Sequence, residues 1–464
     1  MRVNTVTLGV IFAHRGVMDR NFSIDRRARI LKVLAGMEGI ELVSPPESLT
    51  PGGLVANEQE AGKVIEHYAG LRLDGVILAV LGYGDEKSAL QVIESLKGLP
   101  VLLFAMKEPI PDGGFLQGAS VGGMLPISYG LHKRNIPFTF AGVFDPEDAG
   151  LREAVDGFAR VCAAVRLLRR ARVGMIGFRP YDFEVCIFNE GLLLERYGTK
   201  AVPLNLIDLK AAIDAIPDAD PAVAAIVKEI GSSFALPCPA GELVKIAKLE
   251  RVMLRWAQEY RLDALTIQCW SAIQDHVGLT PCLTNGRLTR LGIPVACEGD
   301  VLGALSMLLQ RELTRGRATP WLADILMLHP SEKDRFLAWH CGNASVDLAS
   351  PEGRPQARPH CSFAPDFPGA IAAGEFTLRE GEVSLNRLVE HGGEFRMLHV
   401  PGRIVASSDR MRGSWGWVAV ADREKMLRTV VEEGFVHHVS LVAGALGPLV
   451  AEVSRYLGYR LVQA

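Results

Sequence analysis

The chain has 464 residues, 48% of them hydrophobic and 22% charged, which is ordinary for a globular protein and longer than one core usually supports. Its formal net charge is −3, from 50 Lys and Arg against 53 Asp and Glu, so no basic field suits a nucleic-acid backbone. No stretch reaches the ~18 uninterrupted apolar residues of a membrane span, and the opening MRVNTVTLGVIFAHRG has neither the long apolar stretch nor the cleavage site of a secretory signal.

The eight cysteines are scattered, without a Cys-x-x-Cys pair, and most sit in apolar segments, such as Cys162, Cys186 and Cys297. Buried thiols in a reducing cytoplasm are expected, rather than disulfides or a zinc knuckle.

Apolar runs at 6–13, 40–44, 75–80, 101–105 and 138–143 predict strands, with helical patterns at 24–36, 57–71 and 85–97. Strands apolar on both faces and separated by helices indicate a parallel sheet covered on both sides. This is the first domain, residues 1–168. Leu-Gly-Tyr-Gly-Asp (81–85) follows the third strand, where an open α/β sheet places its ligand crevice. No Gly-x-Gly-x-x-Gly follows the first strand, which argues against a dinucleotide.

A second α/β domain, 169–345, begins after the basic stretch 166–172, with strands at 173–178, 200–204, 263–268 and 293–297 and a helix over 301–315. Asp300 stands at that helix's N-terminus, where the helix dipole accounts for a carboxylate without a catalytic role. From 346 the texture changes. Pro and Gly are dense over 350–368, and short strand-like runs follow at 374–379, 382–388, 394–400, 403–407 and 417–421. These predict a small antiparallel sheet or barrel in a third domain, 346–464, closed by an amphipathic helix over 438–459 and a final strand. The fold class expected is α/β: two Rossmann-like domains, then a small β-rich, barrel-like domain.

Three residues carry the chemistry. Glu298 stands in Ala-Cys-Glu-Gly-Asp (296–300), Asp324 in Trp-Leu-Ala-Asp (321–324), and His438 in Val-His-His (436–438). Each follows an apolar run, where a buried strand or turn would end. Two carboxylates and an imidazole suit a hard or borderline divalent cation such as Mn²⁺, with positions left for substrate oxygens. Brought together, they describe a metal-dependent enzyme acting on polyols or sugars.

His437 and His438 are adjacent and point in different directions, and His438 is taken as the ligand. His340, between Trp339 and Cys341, is either a further ligand or a buried donor behind one. Gln268 and Trp270 alternate about Cys269 and share a face if extended, pairing an amide with an aromatic platform for a sugar. Core packing explains Trp270 equally well. Arg15, in Ala-His-Arg-Gly, offers a cation for a substrate hydroxyl or anion, in a neighbouring subunit if the sites lie between subunits. Trp415 and Trp417 either wall a pocket or pack a small barrel.

Taken together, these segments resemble the L-fucose isomerase / L-arabinose isomerase superfamily. The pieces that carry the resemblance are Thr-Ile-Gln-Cys-Trp (266–270), Ala-Cys-Glu-Gly-Asp, Trp-Leu-Ala-Asp-Ile (321–325), Trp-His-Cys-Gly-Asn (339–343) and Val-His-His, with Glu298 and Asp324 spaced 26 residues apart as in the family. The resemblance implies Glu298 as the first metal-binding and acid/base carboxylate, Asp324 as the second, and His438 as the C-terminal metal ligand. Asp at 324 is the fucose-branch choice. His340 falls where the arabinose branch has a further metal histidine, and Gln268 matches a glutamine that contacts sugar hydroxyls.

It also implies a Mn²⁺-dependent (or other divalent-cation) aldose–ketose isomerase working through a cis-enediol. Its partners are a sugar substrate and copies of itself in a trimer or hexamer, with no nucleic acid or membrane. The alternatives are a sugar-binding or regulatory protein on the same scaffold, or another metal-dependent sugar epimerase or lyase. Without a Gly-rich phosphate loop or Lys/Arg cluster at these motifs, a neutral or singly anionic sugar is expected rather than a phosphorylated one.

Overall fold

The computed structural model describes residues 5–110, 114–238, 240–269, 271–360 and 371–464, residue 240 by its backbone alone. The chain forms two compact units, residues 2–166 and 167–464.

The first unit holds five strands, β1 (Val6–His14), β2 (Ile40–Val43), β3 (Gly75–Gly82), β4 (Val101–Met106) and β5 (Thr139–Phe144). They form a parallel sheet in the order β2-β1-β3-β4-β5. Every residue of β3 and β4 is buried, as strands covered on both faces require. Ile11, Leu78, Val80 and Leu103 meet helix residues such as Val64, Ile93 and Ile127 in one core. A helix at Ser120–Lys133 was not apparent from the pattern, because SVGGMLPISYGLHK carries three glycines and Pro126. Gly123 is there for space: a Cβ would run into the backbone carbonyl of Tyr83.

The second unit opens with a four-stranded parallel sheet, β6 (Arg172–Ile176), β7 (Lys200–Leu204), β8 (Ala264–Ile267) and β9 (Val295–Cys297), in the order β7-β6-β8-β9. The rest of the chain supplies β10 (Trp321–Leu328), β11 (Arg335–His340), β12 (Gln356–Arg358), β13 (Ala373–Thr377), β14 (Gly381–His391), β15 (Glu394–Val405), β16 (Ser414–Ala419), β17 (His438–Ala443) and β18 (Arg460–Gln463). Of these, β16-β11-β10-β17-β14-β15 close on themselves through antiparallel pairs, since β15 also pairs with β16. The result is a six-stranded barrel, so its strands expose no unpaired edge. Trp321, Ala323, Phe336, Leu385, Leu398, Val418, Val439 and Leu441 fill its core. The architecture is thus α/β with an antiparallel barrel, as expected. No helix among the described residues is long and apolar enough to cross a membrane.

Three local expectations are corrected. Asp324 lies inside β10, which runs on through Ile325–Leu328, rather than at the end of a strand or turn. The runs 394–400 and 403–407 are one strand, because β15 continues through Pro401 and Gly402 in register with β14. A Cβ on Gly402 would sit 2.8 Å from Val418, so the missing side chain lets β15 cross closely to β16. His438 opens a strand, not a helix: Val439–Val442 is apolar and partly β-branched, and the helix starts only at Gly447, with proline in its first turn. β10 and β11, which precede residue 346, are hydrogen-bonded into the barrel.

Candidate active site

The carboxyl ends of β8 and β9 present Gln268 and Cys269 on one strand and Glu298 on the next. Glu298 has φ +60° and Gly299 φ +72°, two successive left-handed residues in a sharp turn. Only the second is a glycine, so the turn holds Glu298 in a conformation that a side chain rarely adopts, a feature concentrated at functional sites. Gly299 donates its N–H to Ile267 O at 3.3 Å, tying the turn to β8. It cannot be replaced freely, because a Cβ there would lie 2.9 Å from the backbone of Arg179. Asp300 then caps the helix Val301–Leu313, its Oδ1 accepting from Gly303 N at 2.8 Å. The dipole account of Asp300 therefore holds, but it is incomplete.

The barrel brings up the other half. Asp324 on β10 and His438 on β17 are direct partners across an antiparallel pair. Alternation sends Trp321, Ala323, Val439 and Leu441 into the barrel core, and leaves Leu322, Asp324, His438 and Ser440 on the opposite face. On that face Gln310, from the helix after Asp300, donates to Ser440 O at 2.7 Å.

His438 Nε2 lies 2.8 Å from Glu298 Oε2 and 3.7 Å from Asp324 Oδ1. The three side chains are 1%, 7% and 14% exposed, so they meet in a largely dry setting. Trp270 lies outside the described residues.

On its other side, His438 Nδ1 is 2.9 Å from Asp300 Oδ2, which is also ion-paired with the fully buried Arg387. Burial would raise the Asp300 carboxyl, but Arg387 and His438 hold it well below the usual carboxylate range. An ionised Asp300 accepts the Nδ1–H of the imidazole and fixes its tautomer, so Nε2 faces two carboxylates. Burial opposes protonation of His438, yet Glu298 and Asp300 raise its pKa well above the ordinary value. Without a cation, Nε2 therefore holds a proton toward Glu298, and a bound divalent cation would take that proton's place.

That arrangement is the test of fit for a metal. Asp324 Oδ1 is buried and makes no hydrogen bond among the described residues. Asp324, His437 and His438 lie within metal-ligating reach of one another, His437 Nε2 being 3.9 Å from Asp324 Oδ1, and Glu298 lies against the same His438 nitrogen, a set of oxygen and imidazole donors that suits a divalent cation. Cys186 groups instead with Asp300 and His438. Burial pushes the Cys186 thiol up to about 11, so it stays protonated and ligates poorly. His340 is buried, and its Nδ1 accepts from Cys341 N at 2.8 Å, which leaves the neutral ring's proton on Nε2. That tautomer suits a donor behind the site better than a ligand.

Gln268 sits at the same edge, its Oε1 accepting from Phe178 N at 3.2 Å. Arg15 belongs to the first unit, where it donates to Gly84 O at 3.2 Å and is ion-paired with Glu86. Trp415 and Trp417 pack with Leu337 in a small apolar cluster.

Asp300's second role, Arg387 and the loop 177–187 were not anticipated. Arg387 carried a signal: an arginine inside the apolar run Leu385–Val389 must find a carboxylate if buried. Phe183, from the loop, places its ring 6.4 Å from that of His438; nothing in the sequence marks it out from other loop aromatics.

Comparison with known proteins points to sugar isomerases as relatives. Residues 9–169 match the family model described as Fucose/sulfoquinovose isomerase, N-terminal domain. A sulfoquinovose isomerase of Alkalicoccus urumqiensis is 27% identical over 394 residues, covering 84% of this chain and 86% of its own. A sulfoquinovose isomerase of Priestia aryabhattai is 26% identical over 414 residues, covering 88% and 90% respectively. One from Clostridium sp. (strain MSTE9) is 25% identical over 351 residues, covering 74% and 76%. The chain is thus similar over its first third to the Fucose/sulfoquinovose isomerase family model, and over most of its length to sulfoquinovose isomerases.

Proposed function

We propose that this protein is a divalent-metal-dependent aldose–ketose isomerase whose substrate is a sulfonated aldose of the sulfoquinovose type. The observation that carries the chemistry is the meeting of Glu298, Asp324 and His438 around Nε2. The substrate class rests on the relatives' names. Glu298, Asp324 and His438 would hold the cation, with Mn²⁺ the best match to two carboxylates and one imidazole. Bound there, it would supply Lewis acidity to oxygens on C1 and C2, making the carbon-bound proton acidic.

The chain's own groups move the protons. Glu298 takes the proton from C2 of the open-chain aldose, and the C–H pair becomes the C1=C2 bond of a cis-enediol. Asp324 relays the O2 hydroxyl proton toward O1. The proton held by Glu298 then goes to C1, and C2 becomes the ketose carbonyl. Each such positioned transfer contributes roughly 10²–10⁴ in rate. Asp300 keeps His438 in the tautomer that offers Nε2, and Phe183 covers the imidazole from the loop side. Gln268 is the proposed contact to a substrate hydroxyl, its carbonyl held by Phe178 N and its NH₂ group left to donate.

The same reading includes a homo-oligomer, trimer or hexamer, and a cytoplasmic location. Exposed Phe115, Leu125 and Tyr129 on the first unit support the former, and the free cysteines among the described residues the latter. The test is a Mn²⁺-supplemented screen of aldoses and ketoses, sulfoquinovose included, with products identified by chromatography. A ketose from an aldose, with one solvent deuterium at C1 or C2, is expected. An epimer or a cleaved product would replace isomerisation by another reaction at the same site. Tight sugar binding without turnover, in protein loaded with Mn²⁺, would make it a binder.

A further inference from the structure

The loop 177–187, at the end of β6, is built unlike the rest of the site's wall. Phe178 is 57% exposed and Tyr181 fully exposed, while Phe183 turns inward toward His437 and His438. Arg179 lies between them, half-buried. Its backbone rests against Gly299, one residue from Glu298. Its Nη1 donates to Phe183 O over 3.4 Å, a long and weak bond, and its guanidinium lies 5.6 Å from the centre of the Phe178 ring. Among the described residues Arg179 has no carboxylate partner.

The other arginines named at the sites differ. Arg387 is buried and spent on Asp300, and Arg15 is paired with Glu86. A half-buried guanidinium held by one neutral carbonyl retains most of its charge and donors for a ligand. The sugar's reacting end belongs with Glu298, Asp324 and His438, so an anionic substituent must find its partner at the rim. Guanidinium groups suit tetrahedral oxyanions, offering paired donors in a fixed plane.

We infer that Arg179 is the specificity-determining cation of this site and receives the sulfonate at the substrate's far end. The inference rests on the isomerase reading above for its substrate, and the test separates the two. Calorimetry on the Mn²⁺-loaded full chain would measure binding of sulfoquinovose and of quinovose, its uncharged parent, to the parent protein, Arg179→Gln and Arg179→Lys. Turnover of both sugars would be followed in parallel.

The preference for the sulfonated sugar is expected to fall roughly 10- to 100-fold in Arg179→Gln, the range for losing a charge-assisted hydrogen bond, and to recover in part in Arg179→Lys. The loss should appear in Kd and KM more than in kcat. Equal loss on both sugars, or no recovery with lysine, would overturn the assignment and make Arg179 a prop for the loop. Binding that follows Arg179 while neither sugar turns over would uphold the assignment and sink the isomerase reading. Turnover of sulfoquinovose with an unchanged preference in Arg179→Gln would do the reverse.

Discussion

The two parallel sheets invite comparison, because both present polar residues at their carboxyl edges and only the second meets a carboxylate and an imidazole from another element there. In the first unit the groups at this edge find local partners. Asp85 caps a helix through Ser88 N at 2.9 Å, and Glu108 accepts from Ala119 N and Ser120 N at 2.6 and 2.7 Å. Arg15 is paired with Glu86, and His14 is buried against Ser23 Oγ at 3.0 Å. In the second unit the edge of β8 and β9 meets the barrel, which adds Asp324 and His438 to Glu298. A sheet edge alone is an opportunity. It becomes a site when a second element brings like charges close enough to need a cation.

The sharpest way to break this comparison is Glu298→Gln, which keeps the shape and removes the charge. Turnover should drop by about 10³-fold or more, with circular dichroism unchanged. Activity near the parent's, at saturating Mn²⁺, would put Glu298 on a par with the carboxylates of the first edge.

Asp300→Asn comes next. It leaves Arg387 buried without its counter-ion, which should cost about 3–5 kcal/mol in denaturant unfolding. It also releases the tautomer of His438, so Mn²⁺ affinity should fall about 10- to 100-fold by titration. Pairing it with Arg387→Met sharpens the point: stability should return in part while the affinity loss stays.

A smaller effect concerns the first unit. Burial lowers the pKa of His14 to about 4, so its neutral form is the one compatible with the fold. Because the folded value lies below the unfolded ~6.5, the unfolded chain takes up the proton first. Stability from this group is full above about pH 6.5 and declines as pH falls toward 4. Hydrogen exchange in β1 and β3 should quicken over that window in the parent and much less in His14→Gln. Equal pH dependence in the two would remove His14 as the cause.

Smallest is Arg15→Gln. Its ion pair with Glu86 is partly exposed on both sides, so thermal unfolding should shift by less than about 1 kcal/mol. A turnover loss far beyond that shift would mean that the first edge reaches substrate after all.

The residue types of the site were legible in the sequence; its geometry was not. Glu298, Asp324 and His438 stand out as acids and an imidazole at the ends of apolar runs. The register that sets Asp324 opposite His438 depends on strand pairing across more than a hundred residues of chain, which no local pattern records. Asp300 reads correctly as a helix cap, yet its second oxygen acts through space on a histidine from another element. The helix Ser120–Lys133 was hidden because its glycines answer to packing, Gly122 and Gly123 on Tyr83 and Gly130 on Leu90, not to backbone preference. Short strand-like runs announced a barrel but not its closure, which rests on β15 continuing through a proline and a glycine.

The close approach of Gly299 to Arg179 also bears on how such a protein changes over generations. The contact is made by backbone alone, so side chains at 178, 179 and 181 can be exchanged one at a time without disturbing the turn that carries Glu298. Substrate preference can therefore drift by single substitutions while the reactive core is inherited intact. Any side chain at 299 would disturb both at once, which closes that glycine to variation.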